Sequence, residues 1–194
     1  MKKLAMTAIG VCCLSGAVAM AQDTGTTATR PTDTTRTADA SGMQRSKLSS
    51  AEFVKKAGVA GAAEVAAGKL GSEKATSPEV KAFAQKMVTD HTKANKELMA
   101  AAKAKNLEVP TEADMMHKAM MEKFEHQKAD ADFDHDFMQQ MVRDHEKAVE
   151  LFQQASTDQN VDADLRSWAK TTLPHLQAHL KDAKALEAKL DAKE

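Results

Sequence analysis

One eight-residue pattern, Met-Val-x-Asp-His-x-Lys-Ala, occurs twice in this chain. The first copy covers residues 87–94 and the second covers residues 141–148, and a Phe and a Gln precede each copy at the same spacing. Eight identities at a single offset of 54 residues are difficult to obtain by chance. The repeat therefore indicates that a helical hairpin was duplicated, and that each copy brings one histidine, His91 or His145, to a shared interior.

The composition is that of a helical protein. Ala, Lys, Glu, Gln, Leu and Met are abundant, whereas the 194 residues include only 8 Gly, 4 Pro and no Tyr. The abundant residues lose little rotamer freedom in a helix. The formal net charge of −1 creates no overall field that would attract nucleic acid, and we expect no nucleic-acid partner.

Apolar residues recur at three- and four-residue spacing in four long segments. The sequence Ser-Ser-Ala-Glu from Ser49 predicts the start of the first helix, and Ser77 followed by Pro78 predicts the start of the second. A shorter helical segment, with Thr111 as its expected cap, lies between the second and third long helices. The predicted helices cover residues 49–74, 78–105, 112–128, 132–155 and 162–190.

These segments predict an all-α fold. Four long amphipathic helices with short connections are typical of an antiparallel four-helix bundle of the ferritin-like type, here with a short extra helix in the crossover. The chain is long enough for one domain with a substantial core. We assign the bundle domain to residues 47–194.

The N-terminus has the pattern of an export signal. Two lysines precede an apolar run over residues 4–18, and Ala-Met-Ala over residues 19–21 fits a cleavage site. We predict a signal peptide over residues 1–21, a periplasmic or otherwise exported protein, and no membrane span in the mature chain. A lipoprotein anchor at Cys12 or Cys13 is the competing interpretation.

Residues 22–46 contain eight threonines and few apolar residues. Such a segment buries too little apolar surface to offset the entropy of ordering. We predict a disordered linker, which acts either as a tether that holds the domain off a surface or as a simple spacer. The sequence names no envelope or protein partner and leaves association with the outer membrane open.

Each of the four long helices carries a polar residue on its apolar face. Glu64 lies among Ala and Gly residues of the first helix, and the repeat places His91 and His145 on the second and third. His179 lies on the apolar stripe of the last helix, and His175 precedes it by one turn. Imidazole and carboxylate groups bind Zn, Cu and Fe. These five residues are therefore the candidate ligands of a transition-metal site.

Ferritin-like dinuclear sites combine a Glu from each of two helices with Glu-x-x-His from each of the others. The residues three positions before the histidines are Val88, Val142 and Leu176, so this carboxylate-rich pattern is absent. Several histidines with one glutamate suit Zn, Cu or a single Fe ion better. The sequence also lacks HExxH, CxxC, nucleophile-elbow and phosphate-loop motifs, and it leaves open whether the protein is an enzyme.

Simpler interpretations compete with a metal site. Buried histidines often serve as hydrogen-bonding residues of a core. Asp90 and Asp144 lie three positions before Lys93 and Lys147, which favours surface ion pairs over the orientation of a histidine. The methionine-rich residues 115–121 indicate a flexible apolar face more than a Cu(I) site.

Several motifs together resemble a known family. They are Gly61-Ala62-Ala63-Glu64, Val80-Lys81-Ala82-Phe83-Ala84, Met87-Val88-x-Asp90-His91, Phe133-Asp134, Asp144-His145, and Leu173-Pro174 with His179. With the Thr-rich N-terminus, they make the chain similar to the family of domain of unknown function 4142, over about residues 49–190. The resemblance implies an exported, ferritin-like helical bundle without an assigned activity. It also implies that Glu64, His91, His145 and His179 are recurrent polar positions.

Two functional hypotheses follow. In the first, an exported helical bundle binds a transition metal between its helices for storage or stress protection. In the second, the histidines are core residues of a structural or interaction module that is tethered near the cell envelope. An oxidase or peroxidase is a third alternative, disfavoured by the missing carboxylates and the absence of Tyr. Convergence of the histidine nitrogens and a Glu64 oxygen on one point would favour the first hypothesis.

Overall fold

The computed structural model of the protein describes residues 47–192. This part of the chain contains helices and no strands, so the predicted all-α fold is confirmed. The predicted signal peptide and linker, residues 1–21 and 22–46, lie outside the described residues. The helices are α1 (Ser50–Lys74), α2 (Pro78–Lys103), α3 (Met115–His126), α4 (Ala131–Thr157) and α5 (Ala163–Asp191).

The long helices begin where their capping signals predict. The Ser49 hydroxyl accepts the backbone N–H of Glu52 at 3.2 Å, and the Glu52 carboxylate accepts the backbone N–H of Ser49 at 3.0 Å. This reciprocal capping box satisfies two N–H groups that the first turn leaves unpaired. Ser77 caps α2 with Pro78 in the first turn. The limits of all four long helices lie within about two residues of their predicted positions.

The short helix α3 begins later than the sequence predicted. Its N-cap is Asp114, which accepts the backbone N–H of His117 at 3.0 Å, and the expected cap Thr111 lies before the helix. The choice of Thr111 was wrong because aspartate is the stronger cap of the two. Asp130 caps α4 in the same way, through the backbone N–H of Phe133.

The long helices pack most extensively on their neighbours in sequence. α1 lies along α2, and α4 lies along α5. Smaller contacts join α2 to α5 and α1 to α4, whereas α3 rests against α1. Among the described helices, none is both long and apolar enough to span a membrane.

Two separate apolar clusters fill the space between these helices. Each long helix contributes to both clusters, and each also carries a buried polar residue between its two contributions. On each helix, one residue of each cluster brackets the gap between the clusters. These pairs are Ala57 and Ala67 on α1, Met87 and Leu98 on α2, Met141 and Phe152 on α4, and Leu176 and Ala183 on α5. We call the intervening set the polar layer; it consists of Glu64, His91, His145 and His179.

Asp134 ties the connection between α1 and α2 to the first turn of α4. This carboxylate is 2% exposed and accepts the backbone N–H groups of Thr76 and Ser77 at 2.9 and 2.7 Å. It also accepts the Thr76 hydroxyl at 2.6 Å. Because these donors stand at the start of α2, the negative charge also lies near the positive end of that helix dipole.

Replacement of Asp134 by alanine is expected to lower the free energy of unfolding by about 2–4 kcal/mol, because three donors lose their common acceptor. Urea unfolding of the full chain measures this change. The control is Asp132→Ala, at an exposed position two residues earlier on α4, which should change the free energy by less than about 0.5 kcal/mol. Equal losses in the two variants would contradict the capping role of Asp134.

Candidate metal centre

Three histidines from three helices meet in the polar layer. His91 of α2, His145 of α4 and His179 of α5 are 6%, 0% and 2% exposed. Their ring centroids are separated by 5.5, 5.4 and 5.5 Å in the three pairs. One ring nitrogen from each histidine lies within 4.8 Å of the other two. The histidines therefore occupy a single level along the helices and form one compact group, which we call the histidine cluster.

A backbone carbonyl fixes the tautomer of His145. Its Nδ1 lies 2.9 Å from the carbonyl oxygen of Met141, one turn earlier on α4. Because a carbonyl oxygen only accepts, Nδ1 carries the hydrogen and donates it. The other ring nitrogen, Nε2, then keeps a lone pair in the neutral ring. This nitrogen lies 3.4 Å from Nε2 of His91, inside the cluster.

A carboxylate fixes the tautomer of His179. Its Nε2 donates to Oδ2 of Asp90 at 2.9 Å, and Lys86 donates to the same oxygen at 3.0 Å. Partial burial opposes the charge on Asp90, but the hydrogen bonds from Lys86 and His179 outweigh burial and hold the pKa of Asp90 below its ordinary value. Nδ1 of His179 is thus the nitrogen with the lone pair. Within the described part of the chain, this buried atom has no hydrogen-bond partner.

The contact between His91 and His145 is long for a hydrogen bond. Their Nε2 atoms are 3.4 Å apart, whereas hydrogen bonds donated by nitrogen usually measure about 2.7–3.2 Å. Two nitrogens bound to one tetrahedral zinc ion, at about 2.0–2.1 Å from the metal, lie about 3.3–3.4 Å apart. This pair already has that spacing. One ring nitrogen of His179 lies within 4.8 Å of a nitrogen of each of these two rings.

Burial keeps the three rings neutral. Desolvation, reinforced by the charges that His145 and His179 would carry, lowers the pKa of His91 to about 3. Desolvation also lowers the pKa of His145 to about 4, although the bond to Met141 opposes it. The pKa of His179 is lowered by burial, against the influence of Asp90. Neutral imidazoles bind metal ions without first losing a proton, so the histidine cluster presents usable ligands at neutral pH.

Glu64 lies beside the histidine cluster and does not complete it. Its Oε1 is 3.6 Å from Nδ1 of His145, the nitrogen that donates to Met141, and not beside the Nε2 that approaches His91. Its Oε2 is buried and has no hydrogen-bond partner among residues 47–192. Burial, and secondly the charge of Asp144, raises the pKa of Glu64 to about 8. The structure therefore places this predicted ligand next to the group of three nitrogens.

His175 also remains outside the histidine cluster. It is exposed, whereas His179, one turn later on α5, is buried. Each residue turns the helix by about 100°, so residues four positions apart differ in direction by about 40°. His175 points about 40° farther from the centre of the buried stripe of α5 than His179 does. The four-residue spacing that suggested a pair of ligands thus brings only one of them into the interior.

The two aspartates of the repeat have different partners. Asp144 pairs with Lys147 at 3.6 Å, as the sequence predicted. Asp90 instead binds His179, so the preference for an ion pair between Asp90 and Lys93 was wrong. A side chain about 100° round the helix from His91 lies at the edge of the buried face, where a neighbouring helix can supply its partner. The position of Asp90 about 100° round the helix from His91 was the one signal in the sequence for its contact with His179.

The methionine-rich residues divide between two environments. Met115 and Met116 are 87% and 73% exposed, whereas Met120 and Met121 pack against an apolar cluster. The predicted apolar face is therefore present only in the second half of α3.

One family model matches most of the chain. Residues 33–186 match a family model described as Domain of unknown function (DUF4142). No curated protein and no solved structure matches the chain. The matched range contains the histidine cluster, Glu64 and Asp90, but the description assigns no chemistry to them.

The polar layer is expected to give the metal-free protein its greatest stability near pH 6.5. His91 and His145 titrate lower in the folded chain than their ordinary 6.5, so their contribution is present above pH 6.5 and is lost as the pH falls toward 4 and 3. Glu64 titrates higher than its ordinary 4.5, so its contribution is present below pH 4.5 and is lost as the pH rises toward 8. Each proton changes the free energy of unfolding by up to roughly 1.4 kcal/mol per pH unit.

Urea unfolding with chelator present, at several pH values from 4 to 8, measures this profile. Glu64→Gln should abolish the decline in stability between pH 6.5 and 8, because glutamine does not titrate. Glu73→Gln, at an exposed position of the same helix, should keep that decline. A decline that persists unchanged in Glu64→Gln would contradict the role given to this carboxyl group.

Proposed function

The chain belongs to the family of domain of unknown function DUF4142, and we propose that it binds one transition-metal ion through His91, His145 and His179. The observation that carries this proposal is the convergence of three buried ring nitrogens within 4.8 Å. Buried polar atoms in proteins nearly always have a partner. The unpartnered lone pair on Nδ1 of His179 therefore supports a ligating role.

The groups outside the histidine cluster also suit a metal centre. Metal-binding histidines usually donate their second ring nitrogen to a carboxylate or a backbone carbonyl, which fixes the tautomer and makes the ligand more basic. Asp90 serves His179 in this way, and the carbonyl of Met141 serves His145. Each contact occupies one ring nitrogen and leaves a lone pair on the other nitrogen of the neutral ring.

Three neutral imidazoles select the class of ion. Zn²⁺, copper and Fe²⁺ accept nitrogen ligands readily, whereas Mg²⁺ and Ca²⁺ prefer oxygen. The nearby carboxyl groups of Asp90, Asp144 and Glu64 can balance the charge that a divalent ion brings into the interior. Because the pKa of Glu64 is raised to about 8, this group would balance charge by releasing its proton when the ion binds, in place of the direct ligation that the sequence suggested.

The wider role follows from the predicted organisation of the chain. We take the four long helices to form an antiparallel bundle of the ferritin-like type, which holds the ion between its helices. We take the chain to be exported after cleavage of residues 1–21, with the Thr-rich residues 22–46 as a tether near the cell envelope. In that compartment, a buried metal centre would serve metal storage or stress protection.

The full chain, stripped with chelator and titrated with Zn²⁺ or Co²⁺, is expected to bind one ion per chain. Ligation by imidazoles should give tetrahedral Co²⁺ its visible ligand-field bands. Zn²⁺ at about 100 times the dissociation constant should add about 2.7 kcal/mol to the free energy of unfolding. Titration calorimetry and urea unfolding measure the affinity and the stabilisation.

The double variant His91→Ala/His145→Ala should bind at least about 100-fold more weakly, because two ligands are lost. His175→Ala serves as the matched control, since this histidine is exposed on α5 and should be dispensable. Substoichiometric binding that the double variant leaves unchanged would overturn the proposal. The histidines would then be hydrogen-bonding residues of a structural module.

Asp90 is expected to tune the affinity through His179. Asp90→Ala removes the acceptor of the His179 Nε2 hydrogen and should weaken Zn²⁺ binding about 10- to 100-fold. Asp144→Ala, the equivalent change in the second repeat, should weaken it less than about threefold, because the salt bridge of Asp144 goes to Lys147. Equal effects of the two changes would show that Asp90 acts through general charge and not through its hydrogen bond.

A further inference from the structure

A cavity that is partly open to solvent lies beside the polar layer, bordered by α1, α2, α4 and α5 and by His117 of α3. Its volume is about 330 Å³, which is within the range of pockets that bind small molecules. Of the three clustered histidines, only His91 borders it. The cavity is therefore adjacent to the proposed metal centre but is lined mainly by residues other than the proposed ligands.

Small side chains create this space. The wall contains Ala60 of α1, Ala94 of α2 and Ala148 of α4, half-buried positions where larger side chains would fill the space. Alanines from three helices thus leave a recess, partly open to solvent, beside the polar layer.

Carboxyl groups supply the polar end of the cavity. Glu64 and Asp144 both line it, and Oε2 of Glu64 is buried with no hydrogen-bond partner in the described region. Two lysines, Lys56 and Lys147, also line the cavity, but both are exposed, and Lys147 pairs with Asp144. Within residues 47–192, the ionisable partner of Glu64 is His145, and no lysine or arginine pairs with it. This end of the cavity therefore suits a group that donates hydrogen bonds or carries positive charge.

Aromatic rings form another part of the wall. Phe152 and Trp168 both line the cavity, and their ring centroids lie 5.3 Å apart with the planes inclined by 55°. Such rings offer a large apolar surface on which the body of a small molecule can pack. Aromatic surface beside carboxyl groups therefore suits a molecule with an apolar body and a cationic end.

We propose that this cavity binds a small organic amine. Its apolar body lies between Phe152, Trp168 and the alanine wall, and its ammonium group points toward Glu64 and Asp144. A carboxyl group offers an acceptor lone pair to an N–H donor in either protonation state. Binding of an anion is disfavoured because the anion would lie beside the carboxyl groups of Glu64 and Asp144. A hydrocarbon offers no hydrogen-bond donor and would leave Oε2 of Glu64 without a partner. The site goes beyond metal binding and uses different atoms.

Trp168 is the single tryptophan of the chain and therefore reports on this wall directly. The full chain is titrated with benzylamine, benzyl alcohol, benzoate and toluene, with and without chelator, and indole fluorescence is followed. We expect a saturable change with benzylamine at one site per chain, and at least about tenfold weaker binding of the other three probes. Binding of benzoate or toluene as tight as that of benzylamine would overturn the proposal.

Two variants separate the parts of the site. Ala148→Leu fills the cavity and should abolish binding of benzylamine, whereas Ala178→Leu, at an exposed position of α5, should leave it unchanged. Ala94→Leu, elsewhere on the wall, serves if Ala148→Leu fails to fold. Glu64→Gln should reduce the preference for benzylamine over benzyl alcohol at least about tenfold. An unchanged preference, or full binding in the filled variants, would refute the site.

His179→Ala distinguishes this site from the metal centre. His179 is a proposed metal ligand that does not line the cavity, so its loss should remove Zn²⁺ binding and preserve benzylamine binding. Amine binding in a chain that binds no metal would refute the metal centre alone. Metal binding in a chain that discriminates none of the four probes would refute the amine site alone.

Discussion

The helical interior depends on how its buried polar layer is satisfied. Apolar clusters lie on both sides of this layer, so the imidazoles of His91, His145 and His179 have little access to water. The Met141 carbonyl and Asp90 each take one ring hydrogen, from His145 and His179. These outer bonds leave a lone pair on the second nitrogen of each of these two rings. The packing of the helices therefore depends on the chemistry of the histidine cluster, because buried ring nitrogens without partners would destabilise the core.

The two copies of the repeated motif have come to serve different purposes. Both bring a histidine to the cluster, but Asp90 reaches across to α5, whereas Asp144 stays with Lys147 and acts on Glu64. The motif is the same in both copies, so its surroundings decide the role of the aspartate. A residue at the edge of a buried face takes its partner from whichever helix packs there. The packing of neighbouring helices thus distinguishes the two aspartates.

Local signals explain how much the sequence could predict. The Ser49 capping box and the Ser77-Pro78 pair mark helix starts through bonds within one turn, so those limits were predicted well. Helical periodicity likewise directed three histidines inward. Their common level along the helices, and the contact between Asp90 and His179, depend on how separate helices slide and rotate against one another. Periodicity within a single helix carries no information on that register, and His175 shows how a small rotation moves a side chain to the surface.

The small residues of α1 illustrate the same limit. Such a face predicts close approach of a neighbouring helix, and this occurs at Gly68, where an added Cβ would lie 2.8 Å from the carbonyl oxygen of Ala84. Around Ala60 the same kind of residue borders a cavity. Small side chains permit contact where two backbones converge and leave space where they do not. In this protein the space adjoins Glu64 and His91, so any molecule that occupies it would change the surroundings of the proposed metal centre without replacing its ligands.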